Sequence, residues 1–172
     1  MGLLISFDPA GLPPVTVSAL DDLIAALQTW AGKIEAFGKW RDVTYSQGIY
    51  SANAGAWTVD SGDQLAHRYC VIGDVMLLHV WLSTTATGAG MGSQLRVTLP
   101  DNRRLLVPRS SAVFGTLAWD GTAASGTGVI AGDPSPDNWR IRLLRDLDGT
   151  AWPSSDTDID IGFTAVLPLV PL

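Results

Sequence analysis

From Leu65 to Ser83 the chain reads LAHRYCVIGDVMLLHVWLS, two apolar, β-branched and aromatic runs on either side of Gly73-Asp74. A glycine-bearing pair between two such runs is a hairpin signal, because it lets the backbone take positive φ and reverse within two residues. A turn of that length sets Ile72 opposite Val75, Tyr69 opposite Leu78, Arg68 opposite His79 and His67 opposite Val80. Side chains alternate across a strand. One face therefore collects Leu65, His67, Tyr69, Val71, Met76, Leu78, Val80 and Leu82, which suits a core. The other holds Ala66, Arg68, Cys70, Ile72, Val75, Leu77, His79 and Trp81. That second face is too apolar for open water yet carries a charge, so another layer or another subunit is expected to cover part of it.

Upstream the pattern changes twice. Residues 1–17 hold three prolines and two glycines among apolar residues, which predicts an extended arm with at most a short strand near Leu3 to Phe7. Its apolar positions Leu3, Leu4, Ile5, Phe7 and Leu12 fit either docking on another protein or folding back onto the chain's own domain. From Ser18 the spacing becomes helical. Ser18 with Asp21 resembles a capping box, Asp21 and Asp22 complement the positive end of the helix dipole, and Gly38 follows as a stop. Within residues 18–38, Leu20, Ile24, Leu27, Ala31 and Ile34 alternate steps of three and four, the spacing of a coiled-coil seam. Leu23, Trp30 and Phe37 form a second line beside it, widening the stripe beyond what two strands of a coil cover. Two readings fit: a trimeric helical bundle held together by the following domain, or a helix packed on its own sheet.

Beyond Gly38 the helical signals stop and short strands with turn-rich joints take over. Residues 39–172 predict strands near Asp42 to Ser46, Ala56 to Val59, Leu65 to Ser83, Ser93 to Leu99, Leu105 to Pro108, Ala112 to Trp119, Gly128 to Ala131, Asn138 to Arg145 and Asp158 to Pro168. Ser51 to Gly55, Thr84 to Gly92 and Asp120 to Thr127 are read as turns. With no helix between them, the strands must pair antiparallel. The expected fold is mainly β, an antiparallel β-sandwich of jelly-roll type preceded by the arm and one short helix.

Composition narrows the function. Hydrophobic residues make up 47% of 172 and charged residues only 16%, and there are seven tryptophans, which suggests apolar surface used in contacts. A net charge of −6 and no basic stripe beyond Arg103-Arg104 exclude a phosphate-binding surface, so nucleic acid is not an expected partner. No apolar run reaches the ~18 residues of a membrane span and no secretory leader is recognisable, so synthesis in a cytoplasm without membrane insertion is expected. The single Cys70 excludes an internal disulfide and a cysteine metal cluster.

From Trp40 to Pro100 the order of features resembles the β-sandwich modules of bacteriophage structural proteins, among them tail-fibre tips, minor tail proteins and head fibres. The residues are the Trp40 to Ser46 strand, the Ser51 to Gly55 turn with Trp57, the hairpin opened by Arg68-Tyr69 and turned by Gly73-Asp74, and a strand ending in Leu99-Pro100. The resemblance implies a homotrimer in the virion, made in the host cytoplasm. An N-terminal segment would join it to another virion protein, and a β-domain would be displayed, with a host surface receptor or glycan as its target. It lacks the longer shaft that such proteins often carry. A carbohydrate-binding module of a cellular protein is the alternative.

No catalytic constellation is legible. His67 and His79 fall on opposite hairpin faces, so neither serves a common nucleophile, and the Asp residues of the turns are common there for backbone reasons. Asp156, Asp158 and Asp160 alternate on one strand but lack the glycine and distal glutamate of a calcium loop. No catalytic residue, metal ligand or cofactor is assigned. Trp119, Trp139 and Trp152 lie at or beside turn-rich loops, where an exposed indole can stack on a sugar, whereas Trp40, Trp57 and Trp81 are read as core or interface residues.

Overall fold

A computed structural model describes residues 17–36, 38–106, 113–122, 124–133 and 138–171. The proposed arm residues Leu3, Leu4, Ile5, Phe7 and Leu12 lie outside the described residues, as does Phe37. Two units are distinguished, residues 1–37 and 38–172.

In the first, helix α1 spans Val17–Ala36, 20 residues, and Ser18 falls inside its first turn rather than at the cap. Side chains are described from Asp21 to Trp30, and all of them are exposed. They include Leu23, Ile24, Leu27 and Trp30 of the apolar stripe. Leu20, Ala31 and Ile34 lie outside that window. Thr29 donates its hydroxyl to the Ala25 carbonyl at 2.9 Å, which satisfies a polar side chain without an outside partner.

The second unit is mainly β. Its strands are β1 (Arg41–Asp42), β2 (Tyr50–Ala52), β3 (Trp57–Thr58), β4 (Gln64–Ile72), β5 (Val75–Thr87), β6 (Leu95–Thr98), β7 (Val113–Asp120), β8 (Ser125–Gly132), β9 (Arg140–Leu144) and β10 (Ile159–Pro168). They form one 10-stranded antiparallel sheet in the order β1-β4-β5-β10-β7-β8-β9-β6-β2, with β3 joined to the far end of β5. The antiparallel mainly-β expectation holds. The sheet differs from the two separate layers of a sandwich because β10 pairs on one side with β5 and on the other with β7, so the ladder runs on without a break. It curls instead into a half-barrel.

The β4–β5 hairpin has the register read from its turn, with Ile72 opposite Val75, Tyr69 opposite Leu78, Arg68 opposite His79 and His67 opposite Val80. Gly73 takes φ +59 at the first central position, a conformation that a side chain would disfavour. Alternation then fills the concave side. Met76, Leu78, Val80 and Leu82 of β5 meet Ile161, Ala165 and Leu167 of β10, and all are fully buried. Leu95, Val97, Leu117, Ile130, Ile141 and Leu143 continue the core around the curl. Fully burying each such side chain is worth about 1.5–3 kcal/mol.

Side chains draw the two ends of the curl together. Tyr50 of β2, the last strand of the order, donates its hydroxyl to Gln64 Oε1 at 2.7 Å and lies 2.9 Å from His67 Nδ1, both on β4. Its ring meets Trp57 edge-on at 5.5 Å. Trp57 in turn donates to Thr85 Oγ1 at 3.1 Å.

Several segments differ from the sequence reading: the strand expected at Asp42 to Ser46 is confined to Arg41–Asp42, and Thr84 to Thr87, read as the start of a turn, continues β5. Residues 50–52 form a strand, not a turn, because Tyr50, Ser51 and Ala52 pair with Val97, Arg96 and Leu95. β8 starts at Ser125 because small residues there follow β7 in register, Gly126 opposite Trp119. Leu105 makes only an isolated bridge to Leu169, and residues 107–112 lie outside the described part.

Candidate functional site

The hairpin register also fixes what lies on the convex side. Trp81 of β5 faces Gly162 of β10, which faces Ala118 of β7, so a large ring stands beside two positions with almost no side chain. The result is a groove of about 490 Å³ lined by Trp81, His79, Gly162, Thr164, Ala118 and Asp160 among others. Trp81 is 54% exposed. His79 Nδ1 and Thr164 Oγ1 are 3.0 Å apart, which ties the imidazole to the neighbouring strand.

A bulge shapes one end of the groove. Between Leu82 and Thr85 the β5 register slips against β10, and Thr84 takes φ +58, unusual for a β-branched residue. Two carboxylates hold it there: its N–H donates to Asp160 Oδ1 at 2.8 Å and its hydroxyl to Asp63 Oδ1 at 3.3 Å. Asp160 is thereby fixed in place, directly opposite Asp120 of β7. Like charges in that arrangement repel. Asp160 is the single formally charged residue among those lining the groove. Arg68, in register with His79 on the same convex side, lies over the Trp40 ring at 5.4 Å.

A second charged cluster is structural in character. The buried Asp133 carboxylate lies 3.4 Å from Arg96 Nε and 3.3 Å from Arg140 Nε, joining the end of β8 to β6 and β9. Arg142 is buried beside it and donates Nε–H to the Gly132 carbonyl at 2.7 Å. Burial lowers the affinity of Arg142 for its proton and Arg96 adds to that, while Asp133 opposes it.

The loop tryptophans separate. Trp119 and Trp152 are buried and meet edge-on at 5.5 Å, with Trp152 only 1% exposed and its Nε1–H given to the Leu143 carbonyl at 3.2 Å. Arg145 covers Trp119 from 4.6 Å. These two indoles pack the end of the half-barrel and present no face to a sugar, which corrects the expectation drawn from their loops. Trp139 is 40% exposed. Trp81, read as core or interface from its strand, is the more exposed indole; its position opposite Gly162 was not legible before the β5–β10 pairing was known.

His67 and His79 lie on opposite faces, as their register requires, and His67 is buried. Asp156 is buried as well, its Oδ1 accepting from the Thr122 and Asp158 amides at 3.4 and 3.2 Å, so it organises its own loop. Among the described residues no helix is long and apolar enough to cross a membrane.

Fold and surface together define a class: an antiparallel half-barrel domain with one N-terminal helix whose described apolar side chains are exposed. Comparison with known proteins finds no matching family model, no matching curated protein and no matching solved structure.

Proposed function

We propose that this chain is a non-catalytic structural module of a phage particle, assembled as a homotrimer through α1, with the half-barrel as its displayed part. The observation that carries the reading is the helix. Leu27 and Trp30 are 55% and 63% exposed in the single chain, on a stripe spaced as a coiled-coil seam. Removing such side chains from water is worth about 1.5–3 kcal/mol each, and a helix of 20 residues gains too little from its own hydrogen bonds to rely on them alone. Three copies around one axis bury both lines of the stripe together.

The resemblance of residues 40–100 to phage modules supplies the setting. In this reading residues 1–17 join the trimer to another virion protein, and the half-barrel is carried outward on the particle to meet a host surface receptor or glycan. Sedimentation equilibrium and native mass measurement of the purified chain test it. A mass of three chains is the expected result. A stable single copy would overturn the assembly, and a single copy with sugar affinity would favour a carbohydrate-binding module instead.

A further inference from the structure

The convex groove has features that the chain's own packing does not require. Gly162 sits within β10, between β5 and β7, where glycine is entropically unfavourable. Its φ is not positive, and a Cβ added there meets no atom within 4 Å. Gly128 shows the contrast: a Cβ on it would strike the Leu144 carbonyl oxygen, so its glycine is explained by close packing. At Gly162 the missing side chain leaves open room beside the exposed Trp81, and a glycine within a strand is found at bulges, at tight bends and where another group approaches.

Charge and shape say what kind of group. The indole face is the negative pole of the ring's quadrupole, and the one charged residue of the lining is a carboxylate. Asp160 lies one row along the sheet from Gly162 and is held by the Thr84 amide, with Asp120 opposite it. A positive group placed here relieves the repulsion between the two carboxylates. Trp81 and Asp160 stand on the same convex side of adjacent strands, Asp160 two positions along β10 from Gly162, the residue opposite Trp81. A planar cation spans that interval, lying flat on the ring while its edge donates to the carboxylate; an ammonium is a compact point charge and does one or the other. The groove holds no lysine or arginine of its own among the described residues, and Arg68 is occupied over Trp40.

We propose that the Trp81–Gly162–Asp160 groove is a receptor for the guanidinium of an arginine side chain presented by a partner protein. The ring stacks on it, Asp160 accepts from it, and Gly162 leaves the room for it. The site belongs to a single half-barrel and does not depend on the trimer, so sedimentation and the experiment below fail independently.

The test follows the indole N–H resonance of Trp81 in the full chain, assigned by its loss in Trp81→Phe, during titration with N-acetyl-Gly-Arg-Gly-amide. Saturable displacement of that resonance is expected, with the citrulline and lysine versions of the peptide weaker by about tenfold. Asp160→Asn, which keeps an acceptor for the Thr84 amide, lowers the affinity about as much. Gly162→Val fills the groove and abolishes the response while leaving the melting temperature at or above that of the parent. No displacement by the arginine peptide, an equal response to citrulline or to lysine, or a response surviving in a folded Gly162→Val protein would each overturn the proposal. So would a Trp81 resonance that moves with protein concentration alone, since a second copy would then hold the groove.

Discussion

His67 shows how far one side chain can be derived from its neighbours. Gln64 gives its amide N–H to the Val43 carbonyl at 2.8 Å, which leaves Oε1 as the acceptor for the Tyr50 hydroxyl. That hydroxyl has one proton, so the 2.9 Å contact with His67 must run from Nδ1–H to the Tyr50 oxygen. Nε2 then carries the lone pair, buried and, among the described residues, without a hydrogen-bond partner. Burial depresses the His67 pKa from 6.5 to about 4. Between those values the unfolded chain binds the proton and the folded one does not, so the stability due to neutral His67 is complete above pH 6.5 and falls as the pH drops towards about 4. Its full size is about 3 kcal/mol. Urea titrations of the parent and of His67→Gln across this window should show the parent losing more stability on acidification; parallel slopes would contradict the assignment. Glycine gives a second prediction at this scale. Gly162→Ala should stabilise by about 0.4–1 kcal/mol through the unfolded chain, and Gly128→Ala should destabilise by more than that, both measurable in the same titration.

Among the elements, the β4–β5 hairpin and α1 represent opposite cases. From Ala66 to Trp81 the hairpin was legible to the residue, because Gly73-Asp74 fixes a short turn and the turn fixes the pairing that follows, but a bulge at Leu65 shifts the register there and leaves Leu65 exposed instead of on the core face. The helix was legible as an element, since its span needs only a 3.6-residue period, but what covers its stripe is not a local matter. If α1 is the assembly element, Leu27→Asp places a charge in the seam and should convert trimer to single copies in sedimentation with the β-domain spectrum unchanged. A variant that remains trimeric would remove the helix from the interface. β2 failed to read as a strand for the converse reason. Ser51 and Ala52 have little strand preference, and they are extended because β6 offers them a ladder.

For the whole molecule, the decisive feature is that one sheet supplies both sides of the core. Backbone pairing ends at β1 and β2, and the Tyr50, Gln64 and His67 side chains bridge between β2 and β4. Tyr50→Phe keeps the ring and its edge contact with Trp57 but leaves Gln64 and His67 short of a buried partner, so a loss of about 1–3 kcal/mol is expected in urea unfolding, with the transition still cooperative. A neutral Tyr50→Phe would mean that the hydrophobic core alone sets the curl. Burial of Trp119 and Trp152 belongs to this scale too. Their loops marked them as available to a sugar, yet the end of the half-barrel needed two large rings to fill it.

Local order was readable from the chain alone: the helix, the hairpin and its register up to the bulge at Leu65, the alternation of most strands, and the antiparallel class. Those follow from a period of two or of 3.6 and from the chemistry of a short turn, which act over a few residues. Folding in three dimensions settled which strands lie side by side, that they form one curled sheet, which tryptophans are buried, and that Trp81 faces Gly162 on the same side as Asp160. Such neighbours are some eighty positions apart along the chain, and nothing but the closing of a shared core brings them together.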